Sequence, residues 1–86
     1  MATIEQMIAA ISSLKVNSEE LEQMLHAGAS AINDDIGYIG QIVEGSHSGD
    51  EAVGALRIAV GALGQAARGM VSLRQTCDDC IKSLRS

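Results

Sequence analysis

The chain has 86 residues, a formal net charge of -5, two cysteines and one aromatic residue, Tyr38. That length holds a single small domain, residues 1–86, and an acidic chain without stacking aromatics argues against nucleic acid, which needs a basic stripe. The start, Met1-Ala2-Thr3-Ile4-Glu5, lacks the basic segment and apolar core of a signal peptide. No transmembrane segment is expected either: the least charged stretch, Ala52 to Leu73, contains Arg57, Gln65 and Arg68, and each Arg at mid-bilayer would cost roughly 2.5 kcal/mol or more.

From Ile4 the apolar residues follow a seven-residue repeat through Met7, Ile11, Leu14, Ser18, Leu21, Leu25, Gly28, Ile32, Asp35, Ile39 and Ile42, with Ile8, Ile36 and Val43 beside it. Spacings of three and four place these on one face of a helix expected over about 3–44. Asn17 with Glu20 resembles a capping box, but the repeat keeps its phase there, so one helix is expected rather than two.

The strongest chain-reversal signal is Gly45-Ser46-His47-Ser48-Gly49-Asp50, where two glycines able to adopt positive φ bracket small polar residues. A turn at 45–50 follows, with Ser48 or Asp50 as cap of a second helix expected over about 50–84. There the repeat resumes at Val53, Leu56, Val60, Leu63, Ala67, Met70, Arg74, Cys77, Ile81 and Leu84. Asp50 and Glu51 suit the positive start of this helix, and Lys82 and Arg85 its negative end.

Facing residues of an antiparallel hairpin have nearly constant number sums, and a sum of 95 pairs Ile42 with Val53, Ile32 with Leu63, Gly28 with Ala67, Leu25 with Met70 and Ile11 with Leu84. The expected fold is therefore all-α, an antiparallel two-helix hairpin that completes a four-helix bundle by oligomerisation. Residues 1–49 carry seven acids against Lys15, and residues 50–86 four acids against five basic residues, a split that favours the pairing.

Three positions break the apolar rule of the seam. Ser18 faces Cys77, Asp35 faces Val60, and Arg74 faces Leu21. Asp35 and Arg74 either lean out to solvent or pair with groups on another chain and set its register. Seven glycines inside the expected helices, Gly28, Gly37, Gly40, Gly54, Gly61, Gly64 and Gly69, cost about 7 kcal/mol relative to alanine. Gly54, Ile58, Ala62, Gln65 and Gly69 form a strip away from the first helix, and Ala27, Ala31, Asp34 and Tyr38 a comparable strip on the first helix. Both are candidate surfaces for a partner helix.

Cys77-Asp78-Asp79-Cys80 is the one motif with redox or metal potential. A structural zinc needs four ligands, yet the register puts Cys77 beside Ser18, with His26 roughly 12 Å further along and His47 at the far end. Cys77 and Cys80 are therefore read first as packing residues and second as a redox or metal pair, with no cofactor expected. Ser46, His47, Ser48 and Asp50 have the residue types of a hydrolase triad but crowd into one turn, so no enzyme activity is expected. His26 is expected on a solvated face.

A hairpin of this size with an apolar segment before its turn resembles the Trp-x-Gly family of small type VII secretion proteins. It also looks like helical modules of actinobacterial toxin loci, in which a Glu-Gly-Ser-x-x-Gly turn, here Glu44 to Gly49, precedes an Ala- and Leu-rich helix, here Ala52 to Leu73. The chain has no Trp, and no Tyr in its second helix to begin the family's C-terminal export signal. The resemblance implies a targeting or chaperone partner that pairs its helix faces with an effector's. Such a protein would be cytoplasmic, or exported with that partner by a signal-peptide-independent route. The competing expectations are a self-assembling structural protein and a redox or metal protein using Cys77 and Cys80.

Overall fold

A computed structural model describes all 86 residues as two antiparallel helices, α1 (Ile4–Ile42) and α2 (His47–Arg85), each of 39 residues. The first begins at a capping box: the Gln6 backbone N–H donates to the Thr3 hydroxyl (3.1 Å), and the Thr3 N–H donates to the Gln6 side-chain carbonyl (2.9 Å). It then runs unbroken through Asn17 and Glu20, as the continuous repeat predicts. Neither helix is long and apolar enough to cross a membrane.

The reversal is tighter and earlier than the composition of 45–50 suggests. Val43 ends α1, Gly45 turns the chain at φ 83°, and the Ser46 N–H closes the turn on the Val43 carbonyl at 3.0 Å. Ser46, rather than Ser48 or Asp50, is the cap of α2, its hydroxyl accepting the Gly49 N–H at 3.2 Å. The two glycines have different jobs. Only Gly45 needs a positive φ. Gly49 is helical and buried, and a Cβ there would sit 2.6 Å from Cγ2 of Val43 and 3.0 Å from its carbonyl oxygen.

The α2 seam follows the predicted repeat: Val53, Leu56, Val60, Leu63, Ala67, Met70, Arg74, Cys77, Ile81 and Leu84 are all buried or half-buried. On α1 only half of the predicted seam is inward. Ile11, Ser18, Leu25, Ile32 and Ile39 face α2, but the line that joins them is Ile8, Lys15, Glu22, Ala29, Ile36 and Val43. Of the predicted second line, Met7, Leu14, Leu21, Asp35 and Ile42 are exposed, and only Gly28 is half-buried. At 3.6 residues per turn the two candidate lines lie about 100° apart. Because the Ile11-Ser18-Leu25 line stays inward in both cases, the helix is turned by about half that angle, roughly 50°, from the one-stripe expectation. Ile36, at 7 % exposure, occupies the place expected for Asp35.

The centre of the seam is made of small groups. Ser18 and Ala67 are each 1 % exposed and Cys77 4 %. The Ser18 hydroxyl is satisfied by donating to the Lys15 carbonyl at 2.7 Å. Only five of the 86 residues are buried, and the radius of gyration is 19.2 Å, against about 12 Å for a compact domain of this length. Each helix therefore has one neighbour and an uncovered remainder.

Two consequences are measurable by urea unfolding followed by circular dichroism. Ile36→Ala removes a buried side chain and should cost about 2 kcal/mol or more, while Asp35→Ala should stay within about 0.5 kcal/mol of wild type. Gly49→Ala should destabilise by about 1–3 kcal/mol through overlap with Val43. Gly61→Ala, which meets nothing within 4 Å, should instead stabilise the isolated chain by up to about 1 kcal/mol.

Candidate protein-interaction face

Two cross-helix charge pairs define one long edge of the hairpin. Lys15 Nζ lies 2.7 Å from a carboxylate oxygen of Asp78, and the Arg74 guanidinium donates to the Glu22 carboxylate. Arg74 also reaches the Ser18 carbonyl at 3.5 Å, and His26 Nε2 lies 3.2 Å from the second Glu22 oxygen. Arg74, which the sequence offered as a register residue for another chain, has its partner within this one. Asp35, offered for the same role, is off the seam and exposed.

These pairs place the remaining lines. Lys15 meeting Asp78 puts the α1 line Ile8-Lys15-Glu22 on the same edge as the α2 line Arg57-Gly64-Val71-Asp78-Arg85. The lines on the other side of each seam must then share the opposite edge. On α1 this is Met7, Leu14, Leu21, Gly28, Asp35 and Ile42; on α2 it is Ala52, Ala59, Ala66, Leu73 and Cys80. Apart from Asp35, every residue in these two lines is apolar or small. Leu21 is 48 % exposed and Ile42 65 %. The α1 line runs from Met7 to Ile42, about 50 Å at 1.5 Å per residue, so it spans nearly the whole hairpin.

The predicted partner strips lie beside and behind this edge. Ala31 and Tyr38 are exposed on the α1 line next to this edge, with Asp34 one line further round; Ala62 and Gly69 are exposed on the α2 line next to it, with Ile58 and Gln65 on the back of α2 and Gly54 half-buried. Met24 and Tyr38, each 68 % exposed, extend the apolar edge outward on α1.

The chemistry-bearing residues are accounted for locally. Cys77 is a buried free thiol beside Ser18, and Cys80 is an exposed free thiol. No three His, Cys, Asp or Glu side chains converge as a metal site would require. Ser46 is engaged as a helix cap, and His47 lies 3.0 Å from Glu51 at the exposed start of α2. No family model matches the chain, and neither does any curated protein or solved structure.

The hydrogen bond from Arg74 holds the Glu22 carboxyl below its ordinary value of 4.5, against the opposing effect of desolvation and with help from His26. The hydrogen bond to Asp78 raises Lys15 above its ordinary 10.5. A depressed carboxyl stabilises the fold fully above its unfolded pKa and loses that stabilisation as pH falls through the folded one; a raised amine loses its contribution as pH rises. The thermal midpoint should therefore drop below about pH 4.5. Glu22→Gln should flatten this acid limb, and should flatten it no further in an Arg74→Met background. An undiminished acid limb in Glu22→Gln would show that the pair does not couple to folding.

Proposed function

We propose that this chain is a non-enzymatic helical adaptor, a targeting or chaperone partner that completes a four-helix bundle with the helices of an effector. The observation that carries this reading is the uncovered apolar line on α1, Met7, Leu14, Leu21 and Ile42, opposite an edge closed by ion pairs. An apolar strip that runs the length of a hairpin is the shape a second helix pair fills, because bundle helices pack in long near-parallel contacts. Contiguous exposed apolar surface of this kind marks interaction sites on small proteins.

The assignment to type VII secretion or a toxin locus is supported by the resemblance of the Glu44–Gly49 turn and the Ala- and Leu-rich α2. On that reading the adaptor meets its effector in the cytoplasm, and an export signal on the effector carries the pair.

The test is co-expression with the product of each gene adjacent to this chain's own, among which a larger protein with a helical N-terminal module is expected. A 1:1 complex is expected. The Leu14→Glu/Leu21→Glu double variant should bind at least about 100-fold more weakly, since charges at the centre of an interface cost several kcal/mol, while the free chain keeps its helicity. A complex indifferent to both substitutions would contradict the reading.

A further inference from the structure

All six basic residues lie on or beside the ion-paired edge or in the seam: Lys15, Arg57, Arg74 and Arg85 are in the lines described above. Arg68 and Lys82 are one position beyond the α2 seam line on that same side. The apolar edge has no cation. Its only charges are Asp35 within it and Glu20 and Asp34 along its α1 rim, all three exposed. The hairpin is thus divided lengthwise into a face holding every positive charge and a face that is apolar and acidic.

That division bears on what covers the open face. The accessible surface is 6063 Å² for an 8.9 kDa chain, against roughly 4,800 Å² for a compact monomer of that mass. The difference, about 1,250 Å², exceeds the roughly 800 Å² that each side of a standard protein interface buries and falls within the share per partner of large obligate ones. A second copy has the size to fill it but the wrong charge, because it would bring its own Asp35, Asp34 and Glu20 to the same seam with no Lys or Arg to receive them. A carboxylate enclosed without a cation opposes association.

We propose that the occupant of this face is the helix pair of a different protein, apolar along its contact line and carrying a Lys or Arg level with Asp35. The inference rests on the helix-pairing reading above and names the chemistry of its partner. The low bulk of the α2 half, Ala52, Ala59 and Ala66, leaves room for that partner's large side chains to approach closely, while Leu14, Leu21 and Ile42 supply bulk from α1. Asp35 then acts as the discriminator: it is paired with the partner and unpaired with self.

The Asp35→Arg chain serves as the probe, since in a parallel docking, turn beside turn, it presents the same apolar face with a cation level with Asp35. Asp35 is exposed and off the seam, so Asp35→Arg and Asp35→Leu should keep wild-type helicity. Masses are read by sedimentation equilibrium on wild type, each variant, and an equimolar mixture of wild type with Asp35→Arg. The expected result is a monomeric wild type, a 1:1 mixed dimer at least tenfold tighter than either chain alone, and at least tenfold stronger self-association of Asp35→Leu. A wild type that dimerises as tightly as the mixture would overturn the proposal and make a second copy the occupant. If Asp35→Leu associates while the mixture does not, the cation requirement is wrong and helix pairing stands. If neither associates, helix pairing on this face fails, and the inference with it.

Discussion

The pairs Lys15 with Asp78 and Glu22 with Arg74 decide which side of α1 turns toward α2. Helix α1 has two lines able to flank its invariant inward set of Ile11, Ser18, Leu25, Ile32 and Ile39. One is more apolar, with Met7, Leu14, Leu21 and Ile42; the other contains Lys15 and Glu22 among Ile8, Ala29, Ile36 and Val43. Turning the more apolar line inward would leave Arg74, which stands in the α2 seam, without its carboxylate. An uncompensated half-buried charge costs more than a few exchanged methylene contacts return. Small groups at the same level, Ser18 and Cys77, let the helices approach closely enough for both pairs to form.

Much else follows from that rotation. Because the charged line faces inward, the apolar line faces out, and the hairpin acquires one sealed edge and one open edge. The glycines fit the same pattern. Gly37, Gly40, Gly54, Gly61 and Gly69 have nothing within 4 Å of where a Cβ would stand, so they weaken the helices without contributing to the hairpin's own packing. Gly49 is different, since its missing Cβ is what allows α2 to start against Val43. The turn is thus specified by steric necessity, while the helix bodies are left with surfaces their own fold does not use.

The hairpin and its register were legible because both rest on periodicity, which a single sequence displays. The α2 seam could be read residue by residue, since the large apolar side chains of that helix are concentrated on the Val53 and Leu56 lines while the flanking lines are mostly Ala, Gly or charged. The rotation of α1 was harder to see: the seven-residue spacing favours Met7, Leu14 and Leu21 as seam residues over Ile8, Lys15 and Glu22, and hydrophobicity alone prefers the wrong line. The signal lay in charge, because Lys15 and Glu22 fall level with Asp78 and Arg74 in the predicted register. For the same reason Ile36, noted only as a flanking residue, displaced Asp35 from the seam. The Ser46 cap was missed because Ser48 and Asp50 have equal intrinsic capping propensity, and the choice among them depends on where Gly45 turns the chain.

Hydroxyl-radical footprinting of the free chain, resolved to single residues, addresses the central claim most directly, because it reads which α1 line is open to water. The account predicts fast oxidation at Met7, Leu14, Leu21 and Met24, and slow oxidation at Leu25, Ile32 and Ile36, with rates for the two sets separated by the whole length of the helix. Protection of Leu14 and Leu21 equal to that of Ile36 would contradict it, for it would mean that the apolar edge is closed in the chain alone.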